Sequence, residues 1–108
     1  MGALGDINEL SEVLGIKISK IRNWKKEKIF VPMAKDPDNG KTLLFNIECE
    51  RIKFRTAQEL LLDFSLKEIG ARFQKVFGRR NARLLQDLQK ARNDGELIKR
   101  YVEEIMSL

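Results

Sequence analysis

The 108-residue sequence contains no histidine and one cysteine, Cys49. The commonest general base is therefore missing, and with it the commonest nitrogen ligand for metals. One thiol can neither close an internal disulfide nor assemble a zinc cluster, and it suits a reducing compartment. No apolar run approaches the roughly 20 residues that span a bilayer. The start MGALGDINEL lacks a basic flank and a long hydrophobic core, so no signal peptide is expected and a cytoplasmic location is the default. Its Met-Gly opening resembles a myristoylation start, but Asp6 stands where that motif wants Ser or Thr. The sequence has no G-x-G-x-x-G, no G-x-x-x-x-G-K-[ST] and no G-x-S-x-G. Asn39 to Thr42 (NGKT) ends like a phosphate loop, but Lys35 stands five residues before Gly40, so the segment reads as a turn. Most of the sixteen carboxylates sit beside Lys or Arg at helical spacing, a pattern expected of solvated faces. No enzyme activity, cofactor or membrane partner is expected.

Charge is what the chain has in excess. Twenty-one basic residues against sixteen acidic ones give +5 and a pI near 9.5. A basic small domain favours nucleic acid or an anionic surface as partner. Apolar content of 43% is ordinary for a globular protein and argues against a disordered tail.

Asp6 and Glu9 have the spacing of a capping box, and Ile7, Leu10, Val13 and Leu14 then repeat at helical intervals up to Gly15. A second helix follows from about Lys17 or Ser19 to Lys28. Two short helices joined through glycine, the second basic, are the pattern of a helix-turn-helix. Pro32 and Pro37 exclude a helix next, and DPDNG (Asp36 to Gly40) marks a turn between the β-type runs IFVPM and TLLF. This reads as a β-hairpin wing whose Lys35 and Lys41 reach phosphates flanking a groove. Asn46 can cap a third helix to about Leu62. Ser65 with Glu68 opens a fourth, running to about Phe77. Two more helices follow, separated at Asn93 to Gly95.

On a helical wheel Ile18, Ile21 and Trp24 share one third of the second helix. Ser19, Arg22, Asn23 and Lys26 gather opposite, with Lys20 beside them. Trp24 is expected to pack as a core aromatic at the rim, with an indole contact to DNA as the alternative. The polar face is either a solvated basic helix or a groove reader: Arg suits guanine, Asn suits adenine, and Ser and Lys suit phosphate.

In order and spacing these residues resemble the MerR family of bacterial transcription regulators. The likeness is carried by INELSEVLGI (7–16), IRNW (21–24), Pro32, a glycine turn ending in Phe45, and DFSLKEI (63–69), and it covers about residues 6 to 77. It implies a recognition helix in the major groove, and a wing and second helix pair gripping flanking phosphates. It further implies dimers, joined by a long helix, on palindromic operators. Arg22 carries over as the family's recognition-helix arginine and Trp24 as its second aromatic. Asn23 departs from the usual tyrosine. The wing is one residue longer and lacks Tyr-Arg after its glycine, leaving Lys41 or Thr42 to substitute. The effector domain or cysteine cluster of many members is absent.

The segment RFQKVFGRRNAR has five basic side chains, Arg72, Lys75, Arg79, Arg80 and Arg83, and no acid. It reads either as a solvated helix junction or as a second contact to the DNA backbone. Candidate backbone contacts are Arg79 and Arg80, together with Lys17 and Trp24. The apolar stripe beyond, from Leu84 to Met106, either folds back on its own chain or pairs between chains. A homodimer through an interlocking helical hairpin is the expectation.

The fold expected is mainly α. A winged helix-turn-helix with a small β-hairpin wing occupies residues 1–77, and C-terminal oligomerisation helices occupy 78–108. The function expected is sequence-specific binding of double-stranded DNA, as a nucleoid-associated transcription regulator without a ligand-sensing domain. Its DNA-binding residues would be Ser19, Lys20, Arg22, Asn23, Lys26, Lys35, Lys41 and Thr42. Two alternatives stay open. One is a phage or mobile-element protein serving packaging, excision or plasmid segregation. The other is a protein-interaction adaptor with a basic surface.

Overall fold

A computed structural model describes residues 3–78 and 80–108, and its first turn is built by an acid. The Asp6 carboxylate accepts from the N–H groups of Asn8 and Glu9 at 2.9 and 3.0 Å, and Glu9 accepts from the Asp6 N–H. This capping box starts α1 (Ile7–Leu14). Gly15 ends it in the left-handed region, at φ 67, a conformation that glycine takes without a Cβ penalty. The chain restarts at once as α2 (Ile18–Lys26), with Ile21 and Trp24 turned into the core.

A three-stranded antiparallel sheet follows in the order β1-β3-β2, formed by β1 (Leu4–Gly5), β2 (Ala34–Lys35) and β3 (Leu43–Asn46). The hairpin between β2 and β3 pairs Ala34 with Leu44 and Lys35 with Leu43. Its tip is held by two side-chain turns, in which Asp36 accepts from the Asp38 N–H and Asn39 from the Lys41 N–H. The IFVPM run (29–33) expected to be the first strand contains no strand, and the hairpin's first strand begins after it, at Ala34. Ile29 and Phe30 are both buried rather than alternating, Pro32 has no N–H, and the Val31 N–H donates to Glu50 instead of to a strand. β1, which pairs with the far edge of β3, has two residues and so no periodicity to betray it.

Asn46 caps α3 (Ile47–Leu60), and a second capping box at Ser65 and Glu68 opens α4 (Leu66–Phe77). The remaining helices are α5 (Ala82–Lys90) and α6 (Asp94–Met106). The last break lies at 91–93, with Asn93 as the cap, so Gly95 belongs to the first turn of α6 and not to the interruption. The stripe of α5 and α6 folds back on its own chain. Leu84, Leu97, Ile98, Tyr101 and Ile105 join Leu10, Ile21, Trp24 and Ile52 in one apolar cluster, which therefore crosses the 77/78 boundary. α6 runs along α3 in the same direction, with Asp94 ion-paired to Arg51 at their starts. Among the described residues no helix is long and apolar enough to cross a membrane.

One carboxylate departs from the solvated faces expected of it. Glu50 and Lys53 are 0% and 1% exposed and lie 2.9 Å apart. Burial pushes the Glu50 carboxyl above the usual range, while Lys53 and the Val31 N–H pull it back. Its Oε1 meets Lys53 as a charge neighbour but outside hydrogen-bond geometry, and its Oε2 accepts from Val31 at 2.9 Å. Lys53 also donates to Asn81, which holds a left-handed φ of 52 at the start of α5. The entry to the hairpin, α3 and the α4–α5 junction are thus tied by one buried polar chain.

Candidate nucleic-acid interface

Trp24 fixes the orientation of α2. It is 4% exposed, stacks on Phe30 at 5.7 Å and meets Phe54 at 5.2 Å. The ring is a seat in the core, as the helical wheel suggests, and it turns Ser19, Arg22, Asn23 and Lys26 outward, all of them exposed. Lys20 behaves differently from its neighbours. Its Nζ lies 5.2 Å from the Trp24 ring and 5.6 Å from that of Phe54, so its charge is directed over the aromatic cluster. Lys17 is exposed at the cap position of α2 and makes no side-chain cap there.

Arg22 and the hairpin meet. A cleft of about 390 Å³ opens between α2, the start of α1 and the hairpin, lined by Arg22, Lys25, Lys41 and Thr42 with Leu43 and Phe45 at its base. Its one acid is Asp6, whose carboxylate already accepts two backbone N–H groups of α1. Ser19, Asn23, Lys26 and Lys35 stand outside this cleft. Lys25 is a lining residue that the sequence did not single out. On the wheel it falls within the apolar third, between Ile21 and Ile18, and only the position of the hairpin makes it a wall.

The balance of charge along the sequence sets this face apart. From Lys17 to Lys35 the sequence carries Lys17, Lys20, Arg22, Lys25, Lys26, Lys28 and Lys35 against one acid, Glu27. Among the described residues none of these cations forms an ion pair, and the pairs present use Arg51, Lys53 and Arg83. Those three lie on α3 and α5. Charges left without partners raise the local positive potential, while paired ones largely cancel.

The second basic segment is partly spent inside the fold. Arg83 makes a two-pronged contact with Glu104 at 2.5 and 2.6 Å, which holds the Glu104 carboxyl below its ordinary range. Arg72 lies over the Phe64 ring at 4.3 Å and donates to the carbonyls of Ile105 and Leu108. Lys75 and Arg80 remain exposed, and Arg79 lies outside the described residues. Cys49 is buried, and burial pushes its thiol up to about 12, so it is a packed apolar side chain at neutral pH. Comparison of the chain with family models, with curated proteins and with solved structures finds no match.

Proposed function

We propose that the protein binds double-stranded DNA through α2 and the β2–β3 hairpin, as a MerR-like winged helix-turn-helix serving transcription regulation. The observation that carries this reading is convergence: Arg22 and Lys25 from one element and Lys41 and Thr42 from another share one cleft, whose single acid is engaged elsewhere. Shape divides the work. A convex helix face can enter a major groove, whereas a concave basic cleft receives something that protrudes, and on a duplex that is a phosphate. Asn23, with Ser19 and Lys26, is therefore the base-reading set, and Arg22 with Lys41 and Thr42 is a phosphate clamp. This differs from the guanine contact that residue type alone suggests for Arg22.

Selection of bound duplexes from a random pool tests the reading. It should return a defined motif with the wild-type protein. Asn23→Ala should relax the preference at about one position, by about 1–3 kcal/mol of discrimination. Arg22→Ala should keep the motif and weaken every sequence alike. A pool with no enrichment, or with no binding at low salt, would remove the proposal and favour a protein or anionic-surface partner.

A further inference from the structure

We infer that the contact to DNA phosphates continues beyond the clamp along Lys25 and Lys28, a stretch of groove that the helix-turn-helix pattern does not assign. The inference rests on the DNA-binding reading above. A second cleft of about 450 Å³ adjoins the first, with Lys25, Lys28, Pro32, Leu43 and Gln74 among its walls and no carboxylate in its lining. Lys25 and Leu43 line both clefts, so the two adjoin as one groove beside α2. Arg22 lines the first cleft, Lys25 both and Lys28 the second, so the three cations follow one another along this groove.

Lys28 itself supplies the second observation. The Lys28 N–H donates to the Lys25 carbonyl at 3.0 Å and the Ile29 N–H to the Trp24 carbonyl at 2.9 Å. These two bonds define a Schellman ending, with Lys28 at the left-handed position, φ 69, where glycine is the usual residue and asparagine the next. The neighbouring Ile29 and Trp24 complete the motif's apolar contact inside the core. Nothing in that turn uses the Lys28 side chain: it is exposed, makes no ion pair among the described residues, and its backbone would be relaxed by glycine. A long cation without an ion pair, standing where the backbone disfavours any side chain and on the wall of an acid-free cleft, is placed to meet a ligand outside the molecule. The continuity of that groove with the phosphate clamp makes the ligand the DNA backbone.

The decisive variants are Lys28→Gly and Lys28→Asn, because both suit the left-handed position and leave the fold intact. Each should melt at the wild-type temperature or above it. Each should bind duplex DNA more weakly, with the slope of log K against log salt shallower by about 0.9, the share of one phosphate contact. Lys25→Ala combined with Lys28→Gly should remove about two such contacts. Arg22→Ala, measured in parallel, separates the two claims. If Arg22→Ala weakens binding while both Lys28 variants match the wild type in affinity and slope, the inference about Lys28 is wrong and the DNA reading stands. If the wild type binds no duplex at low salt, the reading beneath it fails as well.

Discussion

At the scale of single residues, Glu50 and Lys53 show how one spacing can hide two environments. One turn apart on a helix, they have the sequence pattern of a surface ion pair worth a few tenths of a kcal/mol. Here both are buried, and Glu50 accepts a backbone hydrogen bond from the loop that leads into the hairpin. Glu50→Gln would leave the Lys53 ammonium without its anion, at a cost of about 3–5 kcal/mol, read as a lower denaturant midpoint. Replacing the pair together, as Glu50→Leu with Lys53→Met, should recover most of that loss. The remainder would be about 1–3 kcal/mol for the Val31 N–H left without an acceptor. A Glu50→Gln protein as stable as the wild type would mean that the pair is solvated after all. Nothing in the sequence separates Glu50 from Glu48, which is exposed and pairs with Arg51 at 2.6 Å. Which of two acids on one helix is buried depends on what packs across it, and that is long-range information.

At the scale of elements, local chemistry decided most starts and stops. Asp6 with Glu9, Asn46, Ser65 with Glu68, and Gly15 each act within four residues of themselves, so their helices are legible from the sequence. Elements that exist through distant pairing are not. β1 forms because β3 offers it an edge, and the IFVPM run is loop, its Val31 N–H held by a carboxylate nineteen residues away. Gly70 is another contact across the fold. A Cβ there would lie 1.8 Å from the Glu27 carbonyl oxygen, which is backbone and cannot swing aside. The glycine lets α4 approach the end of α2, and so sets the angle at which the basic helix is presented. Gly70→Ala should destabilise by about 1–3 kcal/mol or more through overpacking, visible as a lowered melting temperature. Because it displaces the end of α2, it should also weaken DNA binding at temperatures where the protein is still folded. Unchanged stability would show that α4 does not pack that closely.

For the molecule as a whole, the division of charge matters more than its total. Seven cations meet one acid between Lys17 and Lys35, none of the seven forms an ion pair among the described residues, and two of them on α2, Arg22 and Lys25, line the groove beside the hairpin. The candidate site was therefore half legible. The outward residues Ser19, Arg22, Asn23 and Lys26 follow from periodicity, whereas Lys25 became a wall only when the hairpin folded against α2. The C-terminal stripe shows the same limit. Its residues are apolar at helical spacing, which calls for a partner without saying whose, and the partner is the chain's own α3 and α4. The central claim is that this groove binds the phosphates of a duplex. Its most direct test is fluorescence anisotropy of a labelled duplex titrated from about 50 to 200 mM salt, the range over which phosphate contacts dominate the change in affinity. For the wild type, log K should fall linearly with log salt, with a slope of about −0.9 for each phosphate bound. Lys41→Ala, at the hairpin wall, should make that slope shallower by about one contact without altering sequence preference. A wild-type affinity indifferent to salt, or a Lys41→Ala slope identical to it, would contradict the claim.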